Sequence, residues 1–352
     1  MASEAHHSVA RKRATVKDVA RQAGVSASTV SNVLHDHPWV TAEKRKAVEE
    51  AIRVVGYRPS IAGRQLRNGR SDILALAIPD LRSPYYAELA HVLNEKALSR
   101  GFTVLVDETG GTLEREREIA QGYLNHGIEG VIFCPVSLPL AELENAEANV
   151  PIVLLGEHGS HQAFDHIAID SFASAREATA HLISTGRRRF AFIGYQPDRD
   201  TGPGPFRLAG LRAELASAGI QLDESLVLVA SEFTREEGEH SAKELVTRAG
   251  QVDAIVCAAD LLAIGAMSTL QRNGLSIPND IAILGWDDSP EGRFSWPSLT
   301  TVKHDLDAIA ELAVRSVISR IEDDTTAPQE YVVSHRLVVR ESTSPRRELA
   351  AS

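Results

Sequence analysis

Residues 15–34 read TVKDVARQAGVSASTVSNVL, a run in which a polar cap, a glycine and a second polar cap are spaced to make two short helices joined by a tight turn. Thr15 can cap a helix over Val16–Ala23, because its side-chain oxygen can accept from a free N–H of the first turn. Gly24 ends that helix, since glycine takes the left-handed conformation without penalty. Val25 is the turn residue, and Ser26 caps a second helix through about Leu34. Ala20 is small where the helices cross, and Val25 and Val30 pack the turn. The pattern A20-x3-G24-V25-S26-x2-T29-V30-S31 describes a helix-turn-helix whose second helix can face the major groove of a duplex with its N-terminal end.

Beyond this run, His35-Asp36-His37-Pro38 reads as a loop. Thr41 caps a third helix through about Val55, closed by Gly56. Val16, Val19, Ala20, Ala23, Val30, Val33, Leu34, Val48 and Ile52 can form one small core. Upstream, residues 1–14 are a polar tail ending in Arg11-Lys12-Arg13; without an apolar stretch it is not expected to act as a secretory signal. Downstream, residues 57–70 (YRPSIAGRQLRNGR) form a basic linker, or a helix too short to hold alone in water.

Charge supports the same reading. Residues 1–70 carry 13 Lys/Arg and six Asp/Glu, a balance of +7 inside a chain of net charge −11, which leaves −18 for the remainder. A basic head on an acidic body is the electrostatic footprint of a modular DNA binder.

From Ser71 the pattern changes to strand–helix alternation. Strands are expected at Ile73–Ile78, Thr103–Val106, Gly130–Phe133, Ile152–Leu155, His166–Ile169, Phe190–Ile193, Leu226–Ala230, Ala254–Cys257 and Ile281–Gly285. Amphipathic helices lie between them, and one more follows at Leu306–Ile321. Continuous apolar strands between helices imply parallel sheets covered on both faces. Cys134 and Cys257 sit in such strand-like runs and read as reduced core residues, as in a cytoplasmic protein. No apolar run is long enough to span a membrane. No GxGxxG after a strand, P-loop or GxSxG elbow is present, and no acid–base pair is positioned, so no cofactor and no enzymatic activity are expected. His158, His161 and His166 lack zinc-site spacing and read as a solvated loop, so no metal is expected.

TVKDVARQAGVSASTVSNVL followed by VTAEKRKAVEEAIRVVGYRPS resembles the head of the lactose-repressor (LacI/GalR) family of bacterial transcription regulators, and the likeness continues to about Arg340. The resemblance implies an all-α helix-turn-helix head over 15–58, a hinge helix over 59–70, and a two-lobe α/β core like that of periplasmic binding proteins over 71–340. The N-lobe would take about 71–169 and 302–327, and the C-lobe about 170–301 and 328–340, with a loose tail at 341–352. It also implies a homodimeric repressor of a pseudo-palindromic operator, controlled by a small effector in the interlobe cleft. The tail has no leucine heptad, so no tetramer is expected.

Carried over by the same resemblance, Ala27, Ser28 and Asn32 would read bases. Thr15, Val16, Ser26, Thr29, Thr41 and Tyr57 would lie at the backbone, most of them on phosphates, with His35 and Trp39 on the loop that approaches it. In the hinge, Leu66 would wedge into a minor-groove step beside Ser60, Gly63 and Arg64. The effector would meet Asp80, Tyr85, Arg199, Thr201, Arg207, Phe233, Asp260 and Asp287, a set of carboxylates, guanidiniums and rings suited to a polyol. The chain departs from its relatives in places: Asn32 stands where many have Arg, Gly63 where Ala is usual, Gly156 where sugar binders often have Asp, and Ala259 where Asn is frequent. A sugar is favoured, and a nucleoside or purine stays open.

Overall fold

The computed structural model describes residues 14–34, 37–57, 70–123, 127–146, 148–157, 163–199, 202–323 and 325–344. The chain divides into two compact units, Met1–Ser71 and Asp72–Ser352.

The first unit holds α1 (Val16–Ala23), α2 (Ala27–Leu34) and α3 (Ala42–Val55). Thr15 forms a capping box on α1: its Oγ accepts from the Asp18 N–H, and the Asp18 carboxylate accepts from the Thr15 N–H at 3.0 Å. Two of the orphan donors at the helix start are thereby satisfied. Gly24 and Gly56 close α1 and α3 in the left-handed conformation, both at φ +66°. Ser26 accepts from the Thr29 N–H at 3.1 Å at the start of α2. Val19, Ala20, Val30, Val33, Val48, Ala51 and Tyr57 form the buried core.

The second unit begins with β1 (Ile73–Ile78), α4 (Pro84–Leu98), β2 (Thr103–Glu108), α5 (Leu113–Ala120), β3 (Gly130–Phe133), α6 (Leu140–Glu144), β4 (Ile152–Leu155) and β5 (Asp165–Ile169). It continues with α7 (Ser171–Ser184), β6 (Phe190–Tyr195), α8 (Pro203–Ser217), β7 (Val227–Val229), α9 (Arg235–Thr247), β8 (Ala254–Cys257), α10 (Asp260–Arg272) and β9 (Ala282–Trp286). The last elements are α11 (Pro290–Phe294), β10 (Thr300–His304), α12 (Leu306–Ile321), β11 (Glu330–Val333) and β12 (His335–Val338).

Two six-stranded sheets result, ordered β11-β5-β4-β3-β1-β2 and β12-β10-β9-β8-β6-β7. Alternate residues of β1 feed opposite faces of the first sheet, as the pleat requires. Leu74, Leu76 and Ile78 join one apolar cluster with Leu89, Leu93, Ile309 and Ala313 of α4 and α12, whereas Ile73, Ala75 and Ala77 join another with Ile119 of α5. Burial on both faces is why the strands read as unbroken apolar runs.

Several expectations need correction. The chain changes lobe three times, at Asp170, Asp305 and Ser334, not near Thr301 and Pro328 for the last two. At the first two crossings an aspartate caps the next helix: Asp170 accepts from the Ala173 N–H at 2.8 Å and Asp305 from the Ala308 N–H at 3.1 Å. β10, β11 and β12 were not foreseen as strands. They are short, and β11 and β12 are edge strands with half-exposed side chains. β12 runs antiparallel to β10, so the second sheet is not wholly parallel. β10 leaves that lobe where β12 enters it, so the two must run in opposite directions.

The expected loose tail is tied down at its start. Ser342 is buried, donates to the Ile283 carbonyl at 2.6 Å and accepts from the Thr300 N–H at 2.8 Å. His166, assigned above to a solvated loop, is buried in β5, with Nε2 2.7 Å from the Gly156 carbonyl. No helix among the described residues is long and apolar enough to cross a membrane.

Candidate functional site

In the head, burial of Val30 and Val33 turns the opposite face of α2 outward, so that Ala27 and Ser28 are exposed and Asn32 half-buried. Ser26 Oγ also lies 2.7 Å from Ser28 Oγ and 2.9 Å from Thr29 Oγ1, which draws three hydroxyls into one cluster at the start of the helix. Thr15 and Thr41 are exposed at the starts of α1 and α3, and Val16 is half-buried against the core. Trp39 is 70% exposed and stacks on His37 at 4.6 Å, so it is not a core residue. Tyr57, expected at a phosphate, buries its ring in the head's core. His35, Ser60, Gly63, Arg64, Leu66 and Thr201 lie outside the described residues.

In the core, a cavity of about 470 Å³ opens where strands of both sheets end. Of the expected residues, Asp80 follows β1, Asp260 follows β8 and Asp287 follows β9, and Tyr85, Arg199, Arg207 and Phe233 also line the cavity; Glu157, after β4, joins them. Ligands in open α/β sheets bind beyond the carboxyl ends of strands, and the sequence-derived residues converge there.

The expected residues are engaged with the protein to different degrees. Arg207 is 4% exposed, and three of its five N–H donors are taken by the protein. Nε donates to Ser171 Oγ at 3.1 Å, Nη1 to the Ala258 carbonyl, and Nη2 to Glu157 Oε1 at 3.3 Å. The guanidinium also lies 5.1 Å from the centre of the Trp286 ring. Asp260 is likewise engaged with the protein: Oδ1 accepts from Thr301 Oγ1 and Oδ2 from the Ser289 N–H, both at 2.7 Å. Burial, then the nearby Asp287 charge, pushes its carboxyl well above the usual range. Asp260 thus anchors α10 to the segments after β9 and in β10. Asp80 is clasped by Arg82 at 3.0 and 3.1 Å; burial alone would raise its carboxyl, but the Arg82 hydrogen bonds hold it below its ordinary value.

Asp287 and Asp288 point to different fates from adjacent positions. Asp287 stands at the cavity at φ +108°, a backbone region that non-glycine residues seldom visit. Burial raises its carboxyl to about 6, against the pull of Arg207. Asp288 meets Arg293, Lys303 and Arg340; burial opposes ionisation there, but those cations keep its carboxyl below the ordinary range.

Three cavity residues escaped the sequence reading. Glu157 is buried, accepts from Ser171 Oγ at 2.5 Å, and leaves Oε2 without a partner. Gln196 donates from Nε2 to the Ser231 carbonyl at 3.0 Å and leaves Oε1 unsatisfied. His304 is 2% exposed with no hydrogen bond at either ring nitrogen, its Nε2 3.8 Å from Asp287 Oδ1 and its ring edge-on to Tyr85. Burial, then Arg207, holds its imidazole well below the usual value. Glu157 was legible as a polar residue just past a buried strand; His304 lay on a strand the sequence did not announce.

Comparison with known proteins agrees with this architecture. Residues 15–60 match the family model of bacterial regulatory proteins of the lacI family, and residues 179–343 match that of the periplasmic binding protein-like domain. The chain is 33% identical to the HTH-type transcriptional regulator CelR of Thermobifida fusca over 94% of this chain and 99% of that one. The solved CelR–cellobiose complex superposes with a TM-score of 0.69 at 32% identity, covering 94% of this chain and 100% of that one. The lac repressor dimer bound to operator and the anti-inducer ONPF superposes with a TM-score of 0.82 at 25% identity, covering 94% of this chain and 99% of that one. The chain therefore belongs to the lacI family of bacterial regulatory proteins, and is a DNA-binding transcriptional regulator with a helix-turn-helix head and a two-lobe, periplasmic-binding-protein-like core.

Proposed function

We propose that the chain is a cytoplasmic, homodimeric repressor whose hold on its operator is set by a small polar effector, a sugar in preference to a nucleoside or purine, bound in the interlobe cavity. The observation that carries this reading is the meeting of Glu157 from the first lobe with Ser171 and Arg207 from the second, inside the cavity wall. A ligand that engages either side alters what holds the lobes in register. Effector and DNA then bias one equilibrium between lobe orientations, a coupling of ~1–3 kcal/mol, or ~5–150-fold in operator affinity. In this reading Ala27, Ser28 and Asn32 face base edges, while Ser26, Thr15, Thr29 and Thr41 hold phosphates. Arg199, Tyr85, Phe233 and Asp287 face the effector. We read the cavity as a binding site and not a catalytic one, since the relatives the chain matches are transcription regulators.

The test is operator binding by the full chain across a salt series, with and without sugars, polyols, nucleosides and bases. The expected results are a steep fall in affinity with salt, as phosphate contacts release counterions, and a change in affinity with at least one compound. Salt-insensitive binding would remove the DNA-contact assignments. A cavity that no compound occupies, read by melting temperature, would remove the effector assignment.

A further inference from the structure

The cavity has a pronounced chemical bias. Its lining carries six carboxyl groups, Asp80, Glu108, Glu157, Glu232, Asp260 and Asp287, of which burial drives Asp260 toward its neutral form, against three guanidiniums, Arg82, Arg199 and Arg207. Two of the guanidiniums already spend part of their donors on the protein, Arg82 on Asp80 and Arg207 on Glu157, Ser171 and the Ala258 carbonyl. Arg199 alone among the three has no carboxylate partner among the described residues. One guanidinium gives a phosphate few of the several donors that such an anion draws on.

Three helix ends facing the cavity supply fewer donors than such ends usually do. Free N–H groups at a helix N-terminus ordinarily make an anion site. Here α4 starts with Pro84, α8 carries Pro203 and Pro205 in its first three positions, and α10 starts with the carboxylate of Asp260. Proline has no N–H to give.

The unsatisfied groups point the other way. Glu157 Oε2 and Gln196 Oε1 are buried in the wall without a partner. The Gln196 Nε2 bond to Ser231 turns Oε1 away from that carbonyl, so the amide presents an acceptor. A buried acceptor left unmade is costly, and a ligand bearing hydroxyl donors relieves that cost on binding.

We propose that the cavity selects an uncharged, hydroxyl-donating ligand and rejects its phosphate ester, with Glu157 and Gln196 as the two acceptors that read it. The proposal rests on the effector reading above. Phosphorylation would bring a charge of about −2 into a wall richer in carboxylates than in free cations.

The experiment is a calorimetric and thermal-shift titration of the full chain with glucose, ribose, cellobiose and adenosine, with glucose 6-phosphate, ribose 5-phosphate and adenosine monophosphate, and with inorganic phosphate. The expected result is binding of at least one neutral compound, a loss of ~10-fold or more in affinity where its phosphate ester is paired with it, and no response to inorganic phosphate. Gln196→Leu and Glu157→Gln should each weaken the neutral ligand by ~10-fold; Gln196→Leu leaves the Glu157–Arg207 pair intact and so serves if Glu157→Gln fails to fold. A phosphate ester that binds as tightly as its parent, or unchanged affinity in Gln196→Leu, overturns the proposal and leaves the effector reading standing. A panel in which nothing binds overturns both.

Discussion

Replacing Arg207 by alanine would leave Glu157 buried without its ion-pair partner and open space beside Trp286. Breaking a buried pair from one side costs ~3–5 kcal/mol, because the remaining charge is uncompensated. Arg207→Ala should therefore lower the denaturant midpoint strongly, and adding Glu157→Gln should recover part of the loss, a non-additivity that a double-mutant cycle reads directly. Additive losses would mean the pair is not coupled. From sequence, Arg207 was a ligand-facing guanidinium; its bonds to Ser171, Ala258 and Glu157 make it first a support of the cavity wall. Asp287 offers a pH test. Its folded value, about 6, lies above the ordinary 3.8, so between these values the folded chain holds more of this proton than the unfolded chain does. Its contribution to stability is thus full below the ordinary value and is lost as pH rises through about 6. Asp287→Asn, which the positive φ tolerates, should stabilise the chain more at pH 7 than at pH 4, as measured by denaturant melts at both pH values. An equal effect at both would contradict the assigned shift.

Among elements, the edge strand β2 carries two adjacent exposed apolar residues, Leu105 at 49% and Val106 at 40%, and Phe294 at the end of α11 is 89% exposed. Such apolar exposure on a sheet edge invites a partner, and in the dimeric reading a second copy covers it. Val106→Lys together with Phe294→Asp should shift sedimentation from dimer to monomer and weaken operator binding; an unchanged dimer would place the interface elsewhere. The segment after α3 belongs to the same scale. Leu66→Ala should weaken specific operator binding while ligand-induced melting shifts persist, and unchanged operator affinity would remove the hinge-wedge assignment. Helices proved more legible than edge strands. Val16–Ala23, Ala42–Val55 and Leu306–Ile321 fall at their expected positions, since caps and 3.6-residue periodicity are local signals. β11 and β12 take their identity from the strands they join, β5 and β10, which no local window reveals.

At the scale of the whole molecule, the three crossings at Asp170, Asp305 and Ser334 let the chain build two sheets whose strand ends share one cavity. The Asp305 N–H donates to the Ser334 carbonyl at 3.4 Å, which ties two of the crossings together. The bonds among Glu157, Ser171 and Arg207 span the lobes at the cavity. Reorienting the lobes must rearrange those bonds, which is how ligand chemistry at the wall becomes a change in lobe geometry.

The sequence by itself determined the head, the alternation of strands and helices, and the type of residue gathered at the strand ends. Caps, turn glycines, apolar periodicity and the +7 balance of residues 1–70 are local or compositional, and they need no folded context. Only the tertiary structure decided which of those residues are free to meet a ligand. Whether Arg207 or Asp260 has a hydrogen bond to spare depends on Ser171, Thr301 and Ser289, which are distant in sequence and brought near by the crossings. The same holds for Glu157, Gln196 and His304, whose significance lies in atoms left without partners, and the lack of a partner is a property of packing that no sequence pattern carries.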